Sequence, residues 1–424
     1  MTTPINQLVS AQIKRGFTVS NFSPVLQNIF NQCDRVLQVN IPVKLENGEI
    51  ENITGYRSQH NNVLGPYKGG IRYVPDLHID DVTTLSKWMT IKCALQDLPL
   101  GGGKGGMAFD PHDPKYSKTD IENITRGYTQ KIESIIGPYK DIPAPDVNTT
   151  SEMMDWISDE YCKNTKTQDI NVVTGKTLEG GGVQGRPEAT GNGIMFAIER
   201  WCEHNNFSLE GKTFVLQGFG NVGSRIALNL QEKGMKMIGL GNEHGYLTGE
   251  DGLDVKDLQK FTKKNPLNDY IFKGWDNENN PHHLVKKADF FKIPCDLMVL
   301  AAKELQITQE IAENIDCKLL VEGANGPVTI EADDILQNKR IDVIPDILAN
   351  SGGVQVSYYE YLQNETNIPY TYNEIDSLLR DKMFKTFDEV QQESNVNNIS
   401  LRDASYSIAL QRIENAYKEI DLRA

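Results

Sequence analysis

Three lysines stand in settings that surface lysines seldom need. Lys68 lies in Gly65-Pro66-Tyr67-Lys68-Gly69-Gly70-Ile71-Arg72, Lys92 in Met89-Thr90-Ile91-Lys92, and Lys104 in Gly101-Gly102-Gly103-Lys104-Gly105-Gly106. Most lysines are solvated surface charges, and taken singly each of these reads that way. Glycine on both sides adds backbone that can close around a small ligand. The run around Lys104 is not a nucleotide P-loop, because neither Ser nor Thr follows the lysine. Three cations with one flexible backbone suggest a pocket for a small dianion.

A second glycine cluster, Gly218-Phe219-Gly220-Asn221-Val222-Gly223, points to another ligand. It follows a predicted strand, Thr213 to Gln217, and opens a predicted helix, Val222 to Lys233. That context separates a phosphate-binding turn from a chance match or a bare strand-to-helix turn. Gly218 permits the sharp turn, Gly220 lets backbone approach a pyrophosphate, and Gly223 lets helix pack on strand. The helix N-terminus supplies N–H groups and a partial positive charge. The end of the next strand should carry an acid that holds the adenosine ribose of NAD. There the sequence reads Gly241-Asn242-Glu243-His244-Gly245, so Asn242 takes the place and Glu243 follows. No Lys or Arg lies nearby in sequence to hold a 2′-phosphate, and Glu243 would repel one. NAD is therefore favoured over NADP.

The elements that position these groups fall into two parts, as expected of 424 residues, which exceed what one core serves. A helical N-terminal region presents Leu8, Ile13, Val25, Leu26 and Ile29 to a core. Val36 to Val43 alternates as a strand and closes on the turn Glu46-Asn47-Gly48. Mixed strands and helices follow, up to a glycine-rich hinge at Gly180-Gly181-Gly182 and Gly185. Beyond it the rhythm becomes βαβ: helix from Ile194 to Cys202, strand Thr213 to Gln217, helix, then strand Met235 to Leu240. Further strands are predicted at Leu297 to Leu300, Leu319 to Glu322 and Asp342 to Ile344. The order predicts a parallel, doubly wound α/β sheet. Apolar stripes at helical spacing, Ile375, Leu378, Leu379, Met383, Phe387 and Val390, then Ala409, Ile413, Ala416, Tyr417 and Ile420, read as core or subunit interface.

Bulk properties remove several function classes. A formal net charge of −15 disfavours nucleic acid as a partner, since duplex binding relies on cations that neutralise phosphates. Cys33, Cys93, Cys162, Cys202, Cys295 and Cys317 are scattered singly, which suits a reducing compartment and gives no zinc spacing. Adjacent His282 and His283 cannot share one helical face and read as a solvated loop; no metal is expected. No window approaches the roughly 18 apolar residues that span a bilayer. A soluble cytoplasmic protein is expected, or a mitochondrial one if the source is eukaryotic.

With these residues in place, the chain resembles the glutamate dehydrogenases, within the wider group of dehydrogenases for glutamate, leucine, phenylalanine and valine. The resemblance runs from about Val36 onward. Besides the lysine segments and the Gly218 turn it rests on Asp141-Ile142-Pro143-Ala144-Pro145-Asp146, Gly185-Arg186-Pro187-Glu188-Ala189-Thr190-Gly191, Glu322-Gly323-Ala324-Asn325-Gly326-Pro327, and Asn350-Ser351-Gly352-Gly353-Val354 through Ser357. It implies a substrate and assembly domain over residues 1–185, completed by C-terminal helices 355–424. A Rossmann domain over 186–354 and a homohexamer are implied as well. It implies that Lys92 holds the substrate α-carboxylate, aided by backbone near Gly70, and that Lys68 and Ser357 hold the side-chain carboxylate. Ala144 and Val354 also belong to the substrate site. Lys104 is implied as the catalytic lysine and Asp146 as its proton-transfer partner; without the family match, Asp146 reads as a helix cap or turn acid. Thr190 and Asn325 resemble residues that position the nicotinamide end of the cofactor. The implied reaction moves hydride from the glutamate α-carbon to the nicotinamide. Water activated by Lys104 then opens the 2-iminoglutarate, releasing ammonium and 2-oxoglutarate.

Three positions depart from the family pattern: Asn192 where an Arg often follows Thr190-Gly191, Leu300 where Pro is usual, and Asn242 where Asp is frequent. Two rival readings remain. A dehydrogenase for an apolar amino acid would share the lysine base but need an apolar residue at position 68, because an unpaired buried ammonium costs several kcal/mol. A catalytically silent dinucleotide-binding subunit would have no use for Lys104 and Asp146.

Overall fold

The computed structural model describes residues 4–242, 245–264, 275 and 282–419. Amphipathic and proline-initiated segments form α1 (Pro4–Val19) and α2 (Pro24–Phe30). There follow β1 (Arg35–Lys44), β2 (Ile50–Asn61), β3 (Tyr67–Tyr73), α3 (Ile79–Leu95), β4 (Gly102–Met107), α4 (Lys118–Ile132), β5 (Asp141–Pro145) and α5 (Ser151–Thr165). Gly48 at φ +91° makes the β1–β2 turn, a conformation that costs glycine little. The five strands form one sheet in the order β1-β2-β4-β3-β5. β1, β2 and β4 pair antiparallel, whereas β3 lies parallel to both β4 and β5.

The next stretch comprises α6 (Ala189–His204), β6 (Thr213–Gln217), α7 (Asn221–Glu232), β7 (Lys236–Gly241), β8 (Tyr246–Thr248), α8 (Val255–Lys264), β9 (His283–Val285) and α9 (Lys287–Phe290). It continues through β10 (Leu297–Leu300), α10 (Gln309–Asn314), β11 (Leu319–Glu322), α11 (Ile330–Asn338), β12 (Asp342–Ile344) and α12 (Asp346–Ala349). The chain closes on α13 (Gly352–Thr366), α14 (Tyr372–Asn397) and α15 (Leu401–Glu419). The second sheet runs β12-β11-β10-β6-β7-β8-β9. Its first five strands are parallel as predicted, and β6, β10, β11 and β12 have the predicted bounds. The sheet is not wholly parallel, however: β8 and β9 add an antiparallel edge. Both are three residues long, and the sequence reading placed no strand at either. His282, expected in a solvated loop, is buried, its ring tilted against that of Trp275 with centroids 5.0 Å apart.

The chain divides into a first unit, Met1–Arg186 with Val354–Ile375 and Tyr406–Ala424, and a second unit, Pro187–Gly353 with Asp376–Ser405. The sequence reading sent all of 355–424 to the first part; residues 376–405 group with the second instead. Their polar contacts explain why. Arg200 of α6 donates to Asp388 at 2.7 Å, and Asn192 donates to Asp376 at 2.9 Å. Arg402 makes a bidentate contact to Glu322, at 2.6 and 2.9 Å, and a 3.1 Å contact to Asp333. Asp346 lies 3.7 Å from the same guanidinium, so one buried cation serves three buried carboxylates. Burial and the neighbouring acids push the Glu322 carboxyl up, with Arg402 opposing.

Among the described residues no helix is long and apolar enough to cross a membrane, and no group of three or more His, Cys, Asp or Glu side chains could hold a metal ion. All six cysteines are free thiols.

Candidate active site

Successive side chains of a strand alternate between faces, so Lys68, Gly70 and Arg72 of β3 share one face. The parallel registers Gly70↔Ala144, Ile71↔Gly105 and Arg72↔Gly106 place Lys104, Ala144 and Asp146 on that same face. Lys104 Nζ stands 2.8 Å from Asp146 Oδ2, and Arg72 Nε donates to the same oxygen at 2.7 Å. Gly70 lies directly against this pair; a Cβ added there would sit 2.6 Å from Asp146 Cβ. Asp146 is not a helix cap: Thr150 caps α5, accepting from Met153 N. The Asp146 backbone closes a turn with Thr149 and leaves its carboxylate to the two cations.

The glycines around Lys104 are not flexible. They form β4, buried along its whole length. A Cβ on Gly102 would lie 2.1 Å from Thr90 Oγ1 of α3, and one on Gly105 would lie 2.7 Å from the Tyr128 hydroxyl. Real Cβ atoms do not approach so closely, so glycine is needed because protein packs tightly on both faces.

Burial pushes the Lys104 ammonium down to about 8; Asp146 opposes the shift, while Arg72 and Lys92 add to it. Burial works against Asp146 ionising, but Arg72 and Lys104 outweigh it and hold the carboxyl well below its ordinary range. At neutral pH the pair is an ammonium and a carboxylate, with the ammonium close to releasing its proton. Lys92, in the last turn of α3, is half-buried and near enough to act on Lys104 electrostatically.

Lys68 is 2% exposed. Its Nζ donates to Thr174 Oγ1 at 2.8 Å, to the Ile142 carbonyl at 3.1 Å and, at 3.4 Å, to that of Pro143. Burial pushes it down to about 7, with Arg186 adding to the effect and Cys93 and Glu360 opposing it. Ser357, buried on α13, accepts from Arg186 Nε at 3.1 Å. Arg186 thus relates the two expected side-chain ligands, Lys68 through its field and Ser357 through a hydrogen bond. Val354, one turn before Ser357, packs against the cluster of Cys93, Leu98, Leu100 and Ile142. The sequence reading gave no role to Arg72, Thr174 or Arg186. Arg72 had a signal, the two-residue alternation with Lys68 and Gly70; Thr174 had none.

All expected cofactor residues lie in the second unit. Gly218, at φ +94°, is packed so that an added Cβ would meet the Ala301 carbonyl carbon at 2.5 Å. A Cβ on Gly223 would meet the Gly218 carbonyl oxygen at 1.9 Å, which is how α7 comes so close to β6. Gly220, by contrast, faces open space. There a groove of about 580 Å³ is lined by Phe219, Gly220, Asn221, Ser224, Arg225 and Lys263, among others. An open backbone approach at a helix N-terminus, with two cations beside it, fits the pyrophosphate of a dinucleotide. Val222 follows in the first turn of α7. Asn242 Oδ1 accepts from Gly245 N at 3.1 Å and closes the turn after β7; Glu243 lies outside the described residues. Thr190 is in the first turn of α6, and exposed Asn325 accepts from Asn350 Nδ2 at 3.0 Å. At the atypical position, Asn192 Oδ1 accepts from Arg225 Nε at 2.9 Å. A guanidinium is therefore present beside residue 192, supplied by α7.

The family described as Glutamate/Leucine/Phenylalanine/Valine dehydrogenase matches residues 181–420. The one described as Glu/Leu/Phe/Val dehydrogenase, dimerisation domain, matches residues 33–163. The NAD-specific glutamate dehydrogenase of Staphylococcus aureus (strain COL) is 38% identical over 422 residues, 98% of each chain. The catabolic NAD-specific glutamate dehydrogenase of Bacillus subtilis (strain 168) is 36% identical, covering 97% of this chain and 95% of its own. Among solved structures, the hetero-hexameric glutamate dehydrogenase of Thermus thermophilus is similar with a TM-score of 0.91 at 28% identity, over 99% of each chain. That of Peptoniphilus asaccharolyticus has a TM-score of 0.83 at 34% identity, over 97% of this chain and 98% of its own.

Proposed function

Because the chain belongs to the Glu/Leu/Phe/Val dehydrogenase family, we propose that it interconverts L-glutamate with 2-oxoglutarate and ammonium, using NAD. The observation that carries this reading is Lys68, a cation buried to 2% exposure with only neutral acceptors around it. Such a charge is costly unless a ligand anion completes it. The Arg186–Ser357 pair supports the same reading, since it adds a second cation and a hydroxyl for a side-chain carboxylate. An apolar amino acid would leave Lys68 with neutral hydrogen-bond acceptors only.

NAD, held at the turn from Gly218 to Gly223, would supply the acceptor for the hydride of the substrate α-carbon. The chain's own residues do the rest. Lys92 and the backbone at Gly70 hold the α-carboxylate, and Lys68 with Ser357 holds the far one. Lys104, once neutral, takes a proton from the water that adds to the imine carbon, acting as general base. Asp146, 2.8 Å away, keeps the ammonium form of Lys104 in place and passes protons to the amine nitrogen. The dinucleotide turn from Gly218 to Gly223, with Asn242 and Glu243 at the ribose and Thr190 and Asn325 at the nicotinamide end, completes the assignment. NAD is supported by the acid at position 243 and by the NAD-specific names of the two bacterial relatives. A homohexamer formed through residues 1–185 and the C-terminal helices is part of the same reading; light scattering showing a monomer would remove it.

Oxidation of NADH and of NADPH by purified protein, given 2-oxoglutarate and ammonium, tests activity and cofactor choice together. Lys68→Leu tests the substrate: efficiency on glutamate should fall by roughly a hundredfold to a thousandfold relative to norvaline. An unchanged ratio would remove the main support for glutamate.

A further inference from the structure

Loop 173–176 has no regular structure, yet it is buried, and the backbone N–H groups of Thr174, Gly175 and Lys176 all find acceptors. Thr174 N donates to the Pro143 carbonyl at 3.0 Å, tying the loop to β5. On the other side Glu360 of α13 accepts from Gly175 N at 2.8 Å, Lys176 N at 3.3 Å and Lys176 Nζ at 2.8 Å. Lys176 Nζ also donates to the Val173 carbonyl at 2.7 Å. Both side chains of this ion pair are 0% exposed. Glu360 follows Ser357 by three residues, so one helical face carries both.

Between these two anchors sits the Thr174 hydroxyl, which makes the shortest contact to Lys68. An ammonium has three donors. Thr174 and Ile142 take two of them at good distances, while the 3.4 Å contact to Pro143 is long. That third donor is the one a substrate carboxylate can claim. Glu360 also offsets the field of Arg186 on Lys68.

We propose that the Lys176–Glu360 pair is a positioning device for the far-carboxylate subsite: it fixes Thr174, and through Thr174 holds Lys68 oriented and charged for a dicarboxylic substrate. This rests on the reading of Lys68 given above. Neither residue touches substrate in this scheme, so the pair governs which substrates bind and not the chemistry at the α-carbon.

Glu360→Gln in the full-length protein keeps the size of the side chain and removes its charge. The KM for 2-oxoglutarate should rise about tenfold or more, the scale of one hydrogen bond to a charged group, with kcat changing much less. The KM for 2-oxovalerate, which lacks the far carboxylate, should stay within about twofold. The titratable groups acting on Lys68 are Arg186, Cys93, Glu360 and Arg57, of which Cys93 is a neutral thiol pushed up by burial. Glu360 favours the ammonium, so its neutralisation lowers the pKa, and the rise of KM with pH should begin at lower pH than in wild type. Thr174→Val should reproduce the KM effect while leaving the ion pair intact, and it carries the test alone if Glu360→Gln does not fold. Equal changes in KM for both keto acids, or no change for 2-oxoglutarate in Thr174→Val, would overturn the proposal. If Lys68→Leu alters the glutamate to norvaline ratio and these variants do not, only the positioning role fails. An unaltered ratio in Lys68→Leu would remove the reading beneath it.

Discussion

Two glycine-rich segments of this chain solve opposite problems. In Gly218 to Gly223 the outer glycines are closed against protein while Gly220 faces an open groove. In β4 the glycines are closed on both faces, by α3 and by Tyr128. The first segment offers backbone to a ligand; the second gives up its side chains so that Lys104 alone projects among packed neighbours. Glycine content by itself does not distinguish the two. What distinguishes them is whether a methyl group would meet protein or solvent.

The contrast can be broken at several points. Lys104→Ala should have the largest effect, a loss of at least about a hundredfold in kcat, with NADH affinity by fluorescence titration nearly unchanged. Near-normal turnover would sink the assignment of the base. Gly102→Ala should follow, because its methyl would meet Thr90 Oγ1 and the Ser86 carbonyl at 2.1 and 2.4 Å. A loss of about 1–3 kcal/mol or more in denaturant unfolding is expected from overpacking. Gly220→Ala should leave stability within about 0.5 kcal/mol and weaken NADH binding; equal destabilisation in both alanine variants would erase the distinction drawn here. The smallest effect is on pH dependence. Lys104 must be neutral to act, so kcat at saturating glutamate should rise with pH through about 8. Arg72 lowers that value, so Arg72→Gln should move the rise to higher pH, and a shift to lower pH would contradict the electrostatics of the pair.

The second unit was legible because its central strands are short apolar runs, such as Leu297 to Leu300, flanked by turn residues. The first unit was legible at its start, in the N-terminal helices and β1, and not beyond. Strands β3, β4 and β5 carry glycine, proline and lysine, so no alternation of apolar and polar residues marks them. The lysines stood out by their company, but their common face depends on strand register, which local sequence does not contain. The reading of flexible backbone around Lys104 failed for the same reason, since the partners that demand glycine come from distant segments. Arg186 and Ser357 are 171 positions apart, a separation that composition and spacing cannot bridge.

The cluster around Arg402 bears on how the chain is made. Glu322, Asp333 and Asp346 are synthesised first, and their shared counter-ion arrives 80 positions after Glu322. Until then packing the three acids together is disfavoured, because removing the cation from a buried ion pair costs about 3–5 kcal/mol. The second unit therefore gains this part of its stability only when Arg402 is in place. A fragment ending at Gly353 would hold every strand of the second sheet and still lack the charge that lets the acids be buried.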